Sequence, residues 1–184
     1  MKYVALLRGI NVGTGARVPM KTLKALFERL GLSDVVTYLN SGNVVFDSSC
    51  SVTDLTRLIP DELERTFGEK IPTLVKTSAE MIEIAASIPS EWGSNDTEQT
   101  YVAYLFCDVD KPSLVSELPI KREFLRIFHT PGAIVWNIKR ENYNRSQITK
   151  IAGHSSYARM TTRNVNTARK LAALCATPDG GAAA

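Results

Sequence analysis

Residues 3–47, YVALLRGINVGTGARVPMKTLKALFERLGLSDVVTYLNSGNVVFD, carry strand, loop, helix and hairpin signals in one order. Residues 3–10 are apolar apart from Arg8 and Gly9, the pattern of a central strand buried on both faces. A glycine-rich loop occupies 11–18. Pro19 then stands at a first helical position, where its fixed φ suits the turn. Met20, Leu23, Phe27 and Leu30 recur at helical spacing, and Gly31 closes the helix. Short β-rich runs at 35–39 and 44–47 flank Asn40-Ser41-Gly42-Asn43, which predicts a hairpin with a tight turn.

Working outward, Thr53 or Asp54 can cap a second helix bearing Leu55, Leu58, Ile59 and Leu63. Pro60 is expected to kink or split it, since proline removes one backbone bond. A strand at 71–76 completes the order βαββαβ, that of a ferredoxin-like subdomain over 1–77. A second, looser round occupies 78–176. Thr77-Ser78-Ala79-Glu80 has capping-box spacing ahead of Met81, Ile84, Ala85 and Ile88. A polar loop at 89–99, a strand at 101–106 and a short helix at 112–117 follow. A hairpin turns about Thr130-Pro131-Gly132, a short helical stretch spans 146–151, and a final helix runs over 162–175. Residues 177–184 read as a frayed tail. The expected fold class is α+β, a ferredoxin-like subdomain followed by a related, looser one ending in a helix.

A chain of 184 residues can bury a core without disulfides or metals. Its apolar runs are only a few residues long, which excludes a transmembrane helix and a membrane partner. Met1-Lys2 leads straight into the first strand with no signal-peptide apolar region, so a cytoplasmic protein is expected. Cys50, Cys107 and Cys175 lie far apart, which fits reduced thiols and excludes a zinc-ribbon or disulfide scaffold. His129 and His154 have no partner at ligand spacing, and no metal or cofactor is expected. Ser41 and Ser146 have no recognisable base, and a lone serine usually serves a turn or cap.

Charge is concentrated. Segment 139–170 holds Lys139, Arg140, Arg145, Lys150, Arg159, Arg163, Arg169 and Lys170 against Glu141 alone, a net +7, while residues 1–138 carry −3. Such asymmetry suits an acidic partner, either a phosphate-bearing small molecule or nucleic acid; its plain alternative is a solvated basic face.

Three polar segments stand out. In the loop after the first strand, backbone N–H groups and a helix N-terminus can hold an anion, with Arg8 and Asn11 as side-chain donors near Gly13. The glycines at 9, 13 and 15 match neither the Walker nor the GxGxxG pattern. A flexible connection with positive-φ glycines explains them equally. Asn40, Ser41 and Asn43 serve either a turn or a donor cluster. In the third segment, 161–167, Thr162 can cap the last helix. Arg163 would then fall in the first turn, where the helix dipole disfavours a cation. Asn164 and Asn166 are mediocre helix formers beside it, so local rules break at a donor-rich end. Trp136 and Tyr143 flank basic residues and could stack bases, although strand aromatics are more often core.

The segments MKYVALLRGINVGTG, TYLNSGNVVF and TTRNVNTARKLAAL, with Arg145-Ser146, resemble the bacterial domain-of-unknown-function family 1697 from residue 1 to about 175. The resemblance implies two related α+β subdomains and no established activity. Its matched polar positions are Arg8, Asn11, Gly13, Asn40, Ser41, Gly42, Asn43, Ser146, Arg163, Asn164, Asn166 and Thr167. The family's Gly-x-Gly-Arg-Ser-Lys is here Asn142-Tyr143-Asn144-Arg145-Ser146-Gln147, without the lysine. Its Arg-Asn-Trp-Asn-Thr has Val165 in place of tryptophan.

The resulting expectation is an anion-binding, cationic and amide-rich site between the subdomains, taking a nucleotide, another phosphate-bearing molecule or nucleic acid. A small enzyme acting on a phosphorylated metabolite is the alternative, with Arg8 and Arg163 holding the anion and stabilising developing charge.

Overall fold

The structure, a computed structural model, describes residues 1–176. It divides into two compact units, Met1–Ile82 with the stretch from Leu171, and Glu83–Lys170. The division therefore falls inside the helix after residue 77 rather than ahead of it. The last helix, read as wholly part of the second subdomain, is shared between the units. The expected tail at 177–184 lies outside the described residues.

In the first unit β1 (Lys2–Leu7), α1 (Met20–Arg29), β2 (Ser33–Tyr38), β3 (Asn43–Asp47), α2 (Val52–Phe67) and β4 (Thr73–Thr77) follow the expected order. The antiparallel sheet runs β2-β3-β1-β4, the arrangement of a split βαβ ferredoxin-like fold. Alternation puts Tyr3, Ala5 and Leu7 of the central strand on one face, against Leu23, Leu26 and Phe27 of α1 and Leu55, Ile59 and Leu63 of α2. Phe46 stacks on Tyr3 at 5.8 Å and meets Phe27 edge-on at 5.3 Å.

Several local expectations shift. Pro19 is the cap residue, with extended ψ, and the helix begins at Met20. Gly31 closes it at φ +77°. Ser51, rather than Thr53 or Asp54, caps α2, its Oγ accepting from the Asp54 amide at 3.1 Å. Helix α2 continues through Pro60 without a break. The fully buried Leu55, Ile59 and Leu63 hold both halves to one core, and that packing outweighs a single missing backbone bond.

Helix α3 (Ser78–Ala86) opens on the predicted capping box: Thr77 Oγ1 accepts from the Glu80 amide at 3.2 Å and Glu80 Oε2 from the Thr77 amide at 2.8 Å. The second unit then builds β5 (Glu98–Leu105), α4 (Leu114–Glu117), β6 (Arg126–Thr130), β7 (Ala133–Lys139) and β8 (Met160–Asn164). Its antiparallel sheet runs β6-β7-β5-β8, which repeats the first sheet's order strand for strand. The β7–β8 connection holds three 3-10 segments, Arg140–Asn142, Ile148–Gly153 and Ser155–Arg159, where the first unit has α2. Helix α5 (Val165–Ala176) ends the described chain. Arg163 consequently lies in β8, not in a helical first turn, and the argument from the helix dipole does not apply to it. Asn164, not Thr162, makes the capping bond, its Oδ1 accepting from the Asn166 amide at 2.8 Å. Residues 160–164 form a strand because they complete the sheet against β5, and this pairing overrides the helical reading.

Candidate functional site

In the first unit, the loop over 11–18 is tied to the hairpin tip by one side chain. Asn11 Nδ2 donates to the Val18 carbonyl at 2.9 Å and the Asn40 carbonyl at 3.0 Å, while its Oδ1 accepts from the Val18 amide at 2.9 Å. Asn11 adopts φ +55°, a left-handed conformation that asparagine tolerates better than most residues. Asn43 is fully buried and donates from Nδ2 to the Tyr38 carbonyl at 2.8 Å and Ser41 Oγ at 3.0 Å. The structure thus brings Asn11 to Asn40 and Asn43 to Ser41, with the amides of Asn11 and Asn43 engaged in backbone bonds. Gly13, at φ +50°, is exposed. Arg8 is half-buried and donates its backbone N–H to the Pro72 carbonyl at 2.9 Å.

The other predicted residues lie in the second unit. Arg163 pairs opposite Val102 and is only 8% exposed, its Nη1 donating to Thr161 Oγ1 at 2.9 Å and the Thr162 carbonyl at 3.0 Å. Burial pushes its pKa down to about 10 against the opposing influence of Tyr104, so it stays charged at neutral pH. Asn164 also donates to Ser94 Oγ at 2.8 Å, and Asn166 is exposed. Ser146 is buried, its Oγ donating to the Tyr143 carbonyl at 2.7 Å and accepting from the Ile148 amide at 3.2 Å. Arg145 is exposed, its guanidinium 4.3 Å from the centre of the Phe124 ring.

That last contact reveals cations the sequence reading passed over. The Lys121 amide donates to the Ser146 carbonyl at 2.8 Å, which brings the backbone of exposed Lys121 next to that of Arg145, while exposed Arg122 lines a separate cleft with Trp92, Glu123 and Arg126. No sequence pattern signals this, because the grouping joins segments more than twenty residues apart. Other members of the basic run are committed elsewhere. Arg159 pairs with Asp108 at 2.8 Å and lies over Phe106, and Arg169 donates to the Pro89 carbonyl at 3.0 Å. Lys139 and Arg140 share a cleft with Asp96, Glu98 and Glu141. His129, which has no partner at metal-ligand spacing in the sequence, meets Asp110 Oδ1 across the fold at 2.7 Å, and Asp110 Oδ2 accepts from the Gly132 amide at 2.9 Å.

On one face of the second sheet a cleft of about 380 Å³ opens between the strands and the 3-10 segments. Tyr101 and Trp136 stand directly opposite each other in register, their rings stacked 5.7 Å apart at 29°. Tyr143 and Tyr157 stand at the rim, 38% and 39% exposed. Thr162 lines the same cleft, so Arg163, its neighbour along β8, points to the opposite face.

No helix among the described residues is long and apolar enough to cross a membrane. The chain is similar to a conserved bacterial protein, SP0830 from Streptococcus pneumoniae. That solved structure is 24% identical, covers 95% of this chain and 98% of that one, and superposes with a TM-score of 0.78, which shows a shared fold. Comparison with curated proteins finds no match. The model of the family described as "Protein of unknown function (DUF1697)" matches residues 1–136, most of the chain, and the protein belongs to that family.

Proposed function

We propose that the protein binds a small phosphate-bearing ligand through exposed cations of its second unit. The observation that carries this reading is the approach of Lys121 and Arg145, set by the Lys121–Ser146 backbone bond and the seating of Arg145 on Phe124. Lys150 extends it along the same connection. Two or three exposed cations suit one phosphate group, and an arginine fork adds directional donors. A polynucleotide would need a longer basic track. Of the segment's other cations, Arg163 is buried, Arg159 is paired, Arg169 bonds the Pro89 carbonyl, and Lys139 and Arg140 are set among acids, which favours the small ligand. Arg145 is the residue of the sequence-derived set that stands in this group. The amides of Asn11 and Asn43 and the hydroxyl of Ser146 serve the fold.

The test is a thermal-shift titration with inorganic pyrophosphate at low ionic strength. A ligand at a hundred times its Kd stabilises by about 2.7 kcal/mol, several degrees in Tm for a chain of this size. The double variant Lys121→Gln, Arg145→Gln should fold as before and lose the shift. Unchanged melting of the native protein in millimolar pyrophosphate and in millimolar sugar phosphate would refute the reading.

A further inference from the structure

We infer that the cleft over Tyr101 and Trp136 holds a planar heterocyclic ring, so that the ligand of the second unit is a mononucleotide. The inference rests on the anion-binding reading for the phosphate half of the ligand, and on the cleft for the base.

A cleft of about 380 Å³ falls in the range of small-molecule sites. Its walls supply what a base requires. Half-buried Tyr101, stacked on Trp136, which is itself 7% exposed, offers π surface, Tyr143 and Tyr157 flank the opening, and Ile148 and Ile151 add apolar lining. Thr149 and Thr162 add hydroxyls that can donate to or accept from ring edges. Aromatic faces hold any base, because every base has a π face, and they do so with little sequence preference.

The surrounding charge matches a phosphate. Lys150 sits between the lining residues Thr149 and Ile151, and Arg145 stands two positions beyond Tyr143. The wall itself is braced by Arg140, which stands in the acidic cleft described above and is no part of the phosphate site. The Gln99 amide, oriented with its oxygen toward Arg140, accepts from Arg140 Nη1 at 2.7 Å and Nη2 at 3.1 Å, and its nitrogen donates to Tyr101 Oη at 3.1 Å. A mostly apolar cleft with aromatic lining, and with Arg145 and Lys150 along the connection that forms it, is complementary to a base carrying a 5′-phosphate. A sugar phosphate would leave the aromatic surface in water.

The experiment measures binding of adenosine 5′-monophosphate, adenosine, ribose 5-phosphate and inorganic pyrophosphate by calorimetry, with quenching of Trp136 fluorescence alongside. The nucleotide should bind most tightly. Adenosine should bind more weakly and still quench, and ribose 5-phosphate should not quench. Tyr143→Ala, at an exposed position, should weaken nucleotide binding about 5- to 150-fold. Ala152→Phe should fill the cleft from its exposed rim and abolish quenching, and both variants should melt as the native protein does. Adenosine binding without pyrophosphate binding would uphold the cleft and overturn the anion reading. Ribose 5-phosphate binding as tightly as the nucleotide would overturn the cleft and leave the anion reading standing. Nucleotide binding indifferent to both variants, or an oligonucleotide bound where mononucleotides are not, would overturn the inference.

Discussion

Asn11→Ala tests whether the most conspicuous loop of the sequence is held by a single side chain. The substitution removes three hydrogen bonds, two donated by Nδ2 to the carbonyls of Val18 and Asn40 and one accepted by Oδ1 from the Val18 amide. At a net worth of about 0.5–1.5 kcal/mol each, their loss should cost about 1.5–4.5 kcal/mol. Alanine at φ +55° adds about 1 kcal/mol, because its Cβ crowds the backbone in the left-handed region. Asn11→Gly separates the two contributions: glycine keeps the conformation and still loses the bonds, so it should fall between native and alanine. Asn11→Asp keeps an acceptor for Val18 but aims a carboxylate at two carbonyl oxygens, and should be no better than alanine. Urea unfolding followed by circular dichroism gives the three free energies, with a drop of about 2–4 °C in Tm for each kcal/mol lost. A loss below 0.5 kcal/mol for alanine, the measured scale of a neutral surface change, would refute the stitching argument and return Asn11 to the pool of free donors.

Gly15→Ala should be among the most damaging single changes in the first unit, since a Cβ there would lie 1.9 Å from the Gly9 carbonyl oxygen; the yield of folded protein and its Tm report the outcome. Glu80 is half-buried. Burial raises its pKa, but the Thr77 amide and the nearby Lys76 outweigh that and hold it below the usual carboxylate value. A lowered folded pKa means that the Glu80 contribution is complete above about pH 4.5 and is lost as pH falls through the folded value, so Glu80→Gln should flatten the acid limb of the stability profile. Cys175 is buried, and burial pushes its thiol up to about 11, with Lys2 opposing and Asp47 reinforcing the shift. At pH 8 a thiol reagent should therefore label exposed Cys50 and Cys107 promptly and Cys175 only on unfolding; fast labelling of all three would contradict the packing.

The first unit was legible because its signals are local and agree with one another. Periodicity in α1, the closing Gly31, the hairpin turn and the capping box at Thr77 each follow from residues within a few positions. Burial then confirms them without conflict. Arg163 was misplaced for the opposite reason. Thr-Thr-Arg-Asn ahead of an alanine-rich stretch has every mark of a capped helix start, and only the long-range pairing of Thr161 with Tyr104 and of Arg163 with Val102 makes it a strand. The same holds for the basic cluster. Arg145 was visible in the charged run, but Lys121 comes next to it through a backbone bond across the fold, and no spacing rule encodes that. Asn11 and Asn43 were identified as unusual, and they are; their amides turn out to close the loop and the hairpin.

The repeated strand order explains where the cleft comes from. In the first unit the connection from β3 to β4 is a helix of 16 residues, whose Leu55, Ile59 and Leu63 seal one face of the sheet. In the second unit the equivalent connection from β7 to β8 breaks into 3-10 segments, the longest of 6 residues, and sets Ile148 and Ile151 as its buried apolar contacts. Such short segments cannot present the continuous apolar stripe of a four-turn helix, because 3-10 geometry is poor beyond three or four residues. The sheet answers with its largest side chains: Tyr101 and Trp136 occupy the register pair of Tyr3 and Phe46 in the first unit, and of the four only Tyr101 is left half-buried rather than buried. Aromatic surface left at the edge of a core has a cost in water, and the phenolic rims of Tyr143 and Tyr157 reduce it without closing the space. A fold concerned with stability alone would have placed a helix there, as the first unit does. The open connection, its aromatic lining and its cations therefore belong to one departure from the repeat, and that departure is why the proposed ligand is assigned to the second unit.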